Sequence, residues 1–264
     1  MEVVITDTVD EVAETAADLV ADLLARRPTA VLGVATGSSP LGVYRALGRR
    51  VAEGTVSLAQ TRAFMLDEYV GLPADHTERY RTVIERDFVA HVDIPSAAVQ
   101  GPDGLAADIA SACATYEHAI ADAGGVDLQL LGVGTDGHVA FNEPGSSLAS
   151  RTRIKTLTLQ TRQDNARFFG GDPDQVPRHC VTQGIGTILD ARHLLLVATG
   201  QHKAEAVHHL VEGPVTALWP ASALQLHPHV TVLLDRAAAS RLQLGAYYTE
   251  TYRSKPAWQR TTHR

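Results

Sequence analysis

The segment 131–156 places three ionisable side chains close together where an apolar run ends. Asp136, His138 and Glu143 fall within eight positions. A histidine between two carboxylates is oriented, fixed in one tautomer and made a better proton acceptor. The same residue types could bind a metal, but their spacing matches no common metal motif. A hydrogen-bonded structural histidine is the other alternative, and we expect a group that moves protons.

Two more carboxylates, Asp67 and Glu68, follow the apolar run TRAFML (61–66) directly. A carboxylate just beyond a buried strand is partly desolvated and close to bound substrate, so it can act as a general base. A capping or turn residue is the structural alternative. One of these two carboxylates is therefore a candidate general base.

Two loops have the composition of phosphate-binding sites. TGSSP (36–40) joins an apolar run to a helical pattern, with Ser39 as the expected N-cap and Pro40 in the first helical turn. Its hydroxyl groups and the free N–H groups of a helix start suit a phosphate. TGQHK (199–203) repeats the arrangement with Lys203, whose charge opposes the helix dipole unless an anion binds there. A capped turn and a solvated lysine are the alternatives.

A third group of cations lies in SRTRIKT (150–156). Arg151, Arg153 and Lys155 occupy alternate positions, so in a strand all three point to one face. Like charges on one face repel each other unless an anion lies between them. The alternative is an edge strand that its charges protect from aggregation.

The elements that must position these residues alternate along the chain. Short apolar runs separated by helical patterns predict a single-domain (1–264), doubly wound, mainly parallel α/β sheet with helices on both faces. In such a sheet, ligands bind at the carboxyl ends of the strands, where the polar loops lie. The strands are expected at 2–6, 30–35, 61–66, 127–134, 193–199 and 230–235. Helices are expected at 9–26, 77–90 and 106–122, and two more are expected to start at residue 40 and after residue 203. A helical turn is expected at 221–226.

The composition of the chain argues against several kinds of partner and location. The chain has 264 residues, 45% of them hydrophobic, and a formal net charge of -7. The acidic balance argues against nucleic acid or an anionic membrane surface as partner. No export signal or membrane span is evident, and Cys113 and Cys180 make no disulfide framework, so we expect a cytoplasmic protein. The residues alone indicate an enzyme that moves protons on a sugar phosphate, as in ring opening and aldose–ketose isomerisation.

Several segments resemble the glucosamine-6-phosphate deaminase family over nearly the whole chain. The similarity is most specific in GVGTDGHVAFNEPGSSLASRTRIKTLT. The other segments that carry it are LDEYVGL (66–72), HVDIP (91–95), ARFF (166–169), VPRHCVTQGIGTILDA (176–191) and ALQLHP (223–228).

The resemblance implies conversion of glucosamine 6-phosphate and water to fructose 6-phosphate and ammonia, without metal or organic cofactor. It implies that His138 is the ring-opening acid and base, supported by Asp136 and Glu143. It further implies that Asp67 carries a proton between C2 and C1. The residues implied to bind the phosphate are Thr36, Gly37, Ser38, Ser39, Arg167 and Lys203.

The resemblance also implies regulation. In allosteric members a second site between subunits of a homohexamer binds the activator N-acetylglucosamine 6-phosphate, and a mobile lid spans about 157–182. The matching activator-site residues here are Ser146, Ser147, Arg153, Lys155, Thr156 and Tyr247. Two other functions remain open: a 6-phosphogluconolactonase-like hydrolase, which does not need the Asp67 shuttle, and a non-catalytic sugar-phosphate sensor.

Overall fold

The protein is described by a computed structural model that covers residues 1–256, so the end of the expected 1–264 domain lies outside the described residues. The strands are β1 (Glu2–Thr6), β2 (Val31–Val34), β3 (Arg62–Met65), β4 (Asp67–Tyr69), β5 (Val99–Gln100), β6 (Leu128–Leu131), β7 (Arg153–Thr156), β8 (His179–Thr182), β9 (Leu194–Ala198) and β10 (Val230–Asp235). The helices are α1 (Val9–Arg26), α2 (Leu41–Ala52), α3 (Tyr80–Asp87), α4 (Ile109–Asp122), α5 (Leu159–Asn165), α6 (Ile185–Leu189), α7 (Ala204–Val211) and α8 (Gly245–Arg253). Short 3-10 turns include Val89–His91, Ala166–Phe168, Gln201–Lys203 and Pro220–Leu226.

A parallel sheet forms the centre of the fold. Within the described residues it has seven strands in the order β1-β10-β9-β6-β2-β3-β5, and every neighbouring pair is parallel. The central strands β2, β6, β9 and β10 are buried along their whole length, which explains why their sequences are mainly apolar. Gln129, Thr231 and Asp235 are the buried polar exceptions. The predicted doubly wound α/β fold is confirmed.

Helices cover both faces of this sheet. One apolar core joins the sheet to α1, α2 and α3 through residues such as Val12, Leu47 and Ile84. The other joins it to α4, α6 and α7 through residues such as Tyr116 and Ile188. Two cores on opposite faces are expected when a parallel sheet is buried on both sides.

The chain reverses its winding direction between β2 and β6. From β2 it runs outward through β3 to β5, returns to β6, and then runs outward in the other direction through β9 to β10. The loops that follow β2 and β6 therefore leave in opposite directions and open a crevice at the carboxyl ends of the strands. TGSSP (36–40) and the Asp136–His138 loop lie at this crevice.

A second, antiparallel sheet of three strands, β4-β8-β7, was not predicted. The segment 67–72 was expected to be a loop, but Asp67 begins β4 and pairs with Thr182. The partners are more than a hundred residues apart, and such a pairing leaves no local pattern in the sequence.

Local signals explain where the helices begin. Thr8 and Glu11 form a reciprocal capping box, which starts α1 at the expected residue. The expectation that Ser39 caps α2 was wrong: Pro40 is the N-cap, it already has helical backbone angles, and its carbonyl accepts a hydrogen bond from Tyr44 N. Within the described residues, no helix is both long and apolar enough to cross a membrane.

Candidate active site

A cavity of about 320 Å³ lies at the crevice between the carboxyl ends of β2, β3, β6 and β9. This volume is at the lower end of the range for small-molecule sites. The predicted residues that line it are Thr36, Gly37, Ser38, Ser39, Asp67, His138, Arg167 and Lys203. The structure thus brings the predicted phosphate-binding residues and two predicted catalytic residues to one cavity. The other two predicted catalytic residues, Asp136 and Glu143, do not line it but lie next to the His138 ring.

His138 is held by Asp136. Its Nδ1 lies 2.7 Å from Oδ1 of Asp136, and its backbone N–H donates to the same oxygen at 3.1 Å. Burial alone would raise the pKa of Asp136, but its hydrogen bonds with the His138 ring and backbone lower the pKa below the ordinary value. An ionised carboxylate 2.7 Å from Nδ1 favours the tautomer that has its proton on Nδ1 and a free Nε2.

Glu143 links His138 to the helix above the cavity. Its Oε2 lies 3.9 Å from His138 Nδ1 and accepts no hydrogen bond within the described part of the chain. Its Oε1 accepts from the backbone N–H of Thr158 at 3.3 Å and lies 3.5 Å from the Thr158 hydroxyl. Thr158 is the N-cap of α5. The carboxylate is therefore fixed on one side and open on the other.

Backbone geometry fixes the His138 loop. A side chain on Gly134 would overlap the His138 ring, because a Cβ there would lie 2.3 Å from Cε1. Gly137 has a positive φ of 81° and packs directly against Trp219. Ala140, on the cavity wall, also has a positive φ of 53°, which is unfavourable for a residue with a Cβ and typical of functional sites.

Asp67 faces the same cavity from β4. It is 5% exposed, and burial raises its pKa well above the ordinary value, with a further increase from the neighbouring charge of Glu68. A carboxylate that is costly to ionise binds a proton strongly. This is the property that a general base for a C–H group requires.

Glu68 has a structural role that the sequence did not show. Its carboxylate accepts backbone hydrogen bonds of 2.9 Å from Tyr69, Tyr80 and Arg81. Burial raises its pKa, and these hydrogen bonds together with Arg79 oppose the increase. Glu68 thus caps the start of α3 and fixes β4, so that the adjacent Asp67 points into the cavity.

Another part of the cavity wall is suited to an anion. Thr36, Gly37 and Ser38 form the turn before α2, and Gly37 has a positive φ of 90°. Arg167 and Lys203 reach the cavity from the 3-10 turns Ala166–Phe168 and Gln201–Lys203. Backbone N–H groups at a helix start with two cations nearby form a phosphate-binding arrangement.

Sequence reasoning missed several residues of the cavity wall. Tyr80, Asp164, Asn165 and His202 all line it. Asn165 donates to the Tyr69 hydroxyl at 3.1 Å, which ties α5 to β4. His202 lies within TGQHK (199–203), beside the predicted Lys203, whereas Tyr80, Asp164 and Asn165 belong to no motif and only the tertiary fold brings them to the cavity.

We also considered a metal ion at this loop. Among residues 1–256, one group of side chains of the types that bind metals lies close enough together to hold an ion, and it consists of Asp136, His138 and Glu143. Two ligands on a tetrahedral zinc stand roughly 3.4 Å apart. The 2.7 Å Asp136–His138 contact is shorter, so an ion would have to break it. The arrangement fits proton transfer better than metal binding.

The six residues of the expected activator site do not line the cavity. Arg153 and Lys155 are half-buried on one face of β7, Thr156 is exposed, Ser146 is buried and Ser147 is exposed. Tyr247 is exposed on α8, which packs on β1, whereas β7 packs on α4.

Arg151 was expected to share the strand face of Arg153 and Lys155, and this was wrong. It precedes β7, and its guanidinium pairs with Glu117 and Asp190, each at 2.5 Å.

Comparison with known proteins agrees with this geometry. The family model described as glucosamine-6-phosphate isomerases/6-phosphogluconolactonase matches residues 5–233. A glucosamine-6-phosphate deaminase of Mycolicibacterium smegmatis is 69% identical over 259 residues, which cover 98% of this chain and 99% of that protein. A solved structure described as a monomeric glucosamine-6-phosphate deaminase is 44% identical, with a TM-score of 0.88 over 91% of this chain and 99% of its own.

More distant structures share the fold. A 6-phosphogluconolactonase from Trypanosoma cruzi is 21% identical, with a TM-score of 0.71 over 92% of this chain and 97% of its own. The full-length matches at high identity are to deaminases. The chain therefore belongs to the family of glucosamine-6-phosphate isomerases and 6-phosphogluconolactonases, and within it to the glucosamine-6-phosphate deaminases.

Proposed function

We propose that the protein converts D-glucosamine 6-phosphate and water to D-fructose 6-phosphate and ammonia, as part of amino-sugar breakdown. The proposal rests on three features of one cavity. Asp67 is a buried carboxyl group whose pKa is raised, His138 lies against the carboxylate of Asp136, and a set of hydroxyl groups and cations on the cavity wall suits an anion. The names of the full-length relatives support the same substrate.

The proposed reaction begins with ring opening. His138 Nε2 moves the proton of the C1 hydroxyl to the ring oxygen, and the resulting positive charge on the imidazole is stabilised by Asp136 and Glu143. The ring C1–O bond breaks and the open-chain aldehyde forms. Asp136 and Glu143 position the ring and do not themselves carry the transferred proton.

Asp67 performs the next step. Its carboxylate removes the proton from C2 as O1 gains a proton, which gives an enolamine. It then returns a proton to C1 as the nitrogen loses one, which gives the C2 imine. Water adds to C2 and ammonia leaves, so that C2 becomes the ketone of fructose 6-phosphate. No metal or organic cofactor takes part, because both proton transfers use side chains of the chain itself.

The phosphate is proposed to bind at the turn before α2, to Thr36, Gly37, Ser38 and Ser39, and to the cations of Arg167 and Lys203. This anchors the substrate so that C1 and C2 lie between His138 and Asp67. Positioning of this kind supplies a large part of the rate enhancement of such enzymes. The segment 157–182 is proposed as the lid, because α5 carries cavity-lining residues.

The test is product analysis with two substrates. The purified protein should release ammonia and fructose 6-phosphate in equal amounts from glucosamine 6-phosphate, and it should not accelerate hydrolysis of 6-phosphogluconolactone. Lactone hydrolysis without deamination would assign the cavity to a hydrolase. Binding of sugar phosphate without turnover of either compound would indicate a sensor.

We also propose that N-acetylglucosamine 6-phosphate binds at a second site formed by Ser146, Ser147, Arg153, Lys155, Thr156 and Tyr247. Burial lowers the pKa of Arg153, and neither Arg153 nor Lys155 forms an ion pair with an acidic side chain of the described residues. Two half-buried cations on one strand face suit a phosphate. Because Tyr247 lies on α8, which packs on β1, whereas β7 packs on α4, we propose that Tyr247 comes from a second copy in a homohexamer.

The solved relative at 44% identity is described as monomeric, so the oligomeric state is the first check of the second site. A monomer in light scattering would remove the Tyr247 contact and the hexamer. The cytoplasm is the proposed location, because phosphorylated sugars are charged and are retained inside cells.

A further inference from the structure

The phosphate end of the cavity contains an acidic side chain in addition to its two cations. Asp164 lines the cavity with Arg167 and Lys203. It lies on α5 and is exposed, so it stands at the cavity mouth. Its Oδ1 accepts a hydrogen bond of 2.9 Å from Nε2 of Gln160, one turn earlier on the same helix. The carboxylate is therefore held in place and faces the same space as the cations.

The charge of Asp164 acts on Lys203 across the cavity. Burial lowers the pKa of Lys203, Asp164 opposes this decrease, Arg167 adds to it, and Asp136 opposes it weakly. In the empty cavity, Asp164 thus supports the ammonium charge of Lys203 in the way that a bound phosphate would.

A carboxylate in this place repels a phosphate that binds to the same cations. Like charges side by side weaken binding, and the effect is moderate at an exposed position, where solvent screens it. Two cations, a helix start and several hydroxyl groups would otherwise retain a phosphorylated product strongly. A nearby negative charge offsets this attraction.

We propose that Asp164 limits the affinity of the cavity for phosphate and so speeds release of the phosphorylated product. The identity of that product rests on the proposed function. The repulsion itself requires only that a phosphate binds between Arg167 and Lys203.

The experiment compares binding of inorganic phosphate to three proteins by titration calorimetry. Asp164→Asn removes the charge and keeps the shape, and we expect about two- to fivefold tighter binding at low ionic strength, with a smaller gain at high salt. Asp174→Asn is the matched control, because Asp174 is an exposed acid of the same segment that pairs with Arg162 and does not line the cavity. It should bind phosphate as the unmodified protein does.

A second readout is the pH dependence of phosphate binding. The groups whose charges act on Lys203 are Asp164, Arg167 and Asp136, and His202 lines the same wall. Removal of the Asp164 charge lowers the pKa of Lys203 in the free protein. The alkaline loss of binding should therefore move to lower pH in Asp164→Asn and stay in place in Asp174→Asn.

Equal or weaker phosphate binding in Asp164→Asn would overturn the proposal, and so would an equal gain in Asp174→Asn. Fructose 6-phosphate should inhibit turnover of glucosamine 6-phosphate more strongly in Asp164→Asn. Tighter phosphate binding without any deamination in the unmodified protein would support the role of Asp164 and contradict the proposed function. The two claims therefore fail separately.

Discussion

Asp67 and Asp136 are identical side chains whose pKa values move in opposite directions. Asp67 is buried beside Glu68, and its pKa is raised. Asp136 is hydrogen-bonded to His138, and its pKa is lowered. Because their environments differ, Asp67 binds a proton strongly and Asp136 stays ionised. The sequence indicated both residues as functional, but it could not show this difference, because burial and hydrogen bonding depend on the fold.

Asp67→Asn should change stability in a pH-dependent way. Because the folded-state pKa of Asp67 is raised above the unfolded value, the stability that this group contributes is present at low pH and is lost as pH rises through the folded pKa. The asparagine does not titrate. The variant should therefore melt at a higher temperature than the unmodified protein at pH 8, with a smaller difference at pH 5. A difference that does not change with pH in thermal unfolding would contradict the raised pKa.

His138→Gln should slow the closed-ring substrate most severely. The variant lacks the group that moves the proton to the ring oxygen, and loss of a general acid or base costs about 10²- to 10⁴-fold in rate. Steady-state rates with glucosamine 6-phosphate and with a ring-open analogue measure this selectivity. His202→Gln, on the same cavity wall, should affect both compounds equally. An equal loss for the two compounds in His138→Gln would remove the ring-opening role.

At the scale of elements, the small antiparallel sheet and α5 bring the segment 157–182, which we propose as a lid, to the Asp136–His138 loop. β7 leads through Leu157 to Thr158, which caps α5 and holds Glu143. Asn165, at the end of α5, donates a hydrogen bond to the hydroxyl of Tyr69, which lies on β4 two residues after Asp67. Both ends of α5 therefore contact segments that carry the carboxylates proposed to be catalytic, Glu143 and Asp67.

Thr158→Ala should lower turnover several-fold and cost about 1 kcal/mol of stability through loss of the N-cap. The lost hydroxyl frees the start of α5 and weakens the hold on Glu143. Thr8→Ala is the matched control: it removes the N-cap of α1, which does not line the cavity, at a similar cost in stability. Turnover number and melting temperature of both variants check this. Equal turnover in the two variants would mean that Thr158 acts only as a cap.

Elements with local signals were predicted well, and elements without them were not. The capping box and apolar periodicity of α1 fix its bounds, and the apolar runs of β1 and β10 match the strands found. β4 and β8 form through a distant pairing that no local pattern records. The cavity residues Tyr80 and Asp164 escaped prediction for the same reason.

At the scale of the whole molecule, the reversal of winding between β2 and β6 decides where the site lies. The phosphate turn, the His138 loop and Asp67 follow three neighbouring strands, β2, β6 and β3, so their positions could be predicted once the sheet was recognised. The proposed second anion site could not be placed in this way, because Tyr247 lies on α8, which packs on β1, and Lys155 lies on β7, which packs on α4.

Lys155→Ala should abolish activation by N-acetylglucosamine 6-phosphate and leave the maximal rate unchanged, because Lys155 lies outside the catalytic cavity. Arg62→Ala removes an exposed cation elsewhere and should retain activation. Substrate titrations with and without the activator measure both. Full activation in Lys155→Ala would contradict the assignment of the second site.

The most direct test of the central claim is the release of ammonia and fructose 6-phosphate from glucosamine 6-phosphate by the unmodified protein and by Asp67→Asn, with phosphate binding measured in parallel. The account predicts equal amounts of the two products from the unmodified protein. It predicts a rate about 10²- to 10⁴-fold lower in the variant, with phosphate binding retained. Near-normal release by Asp67→Asn would contradict the proton shuttle, and no release by the unmodified protein would contradict the proposed function itself.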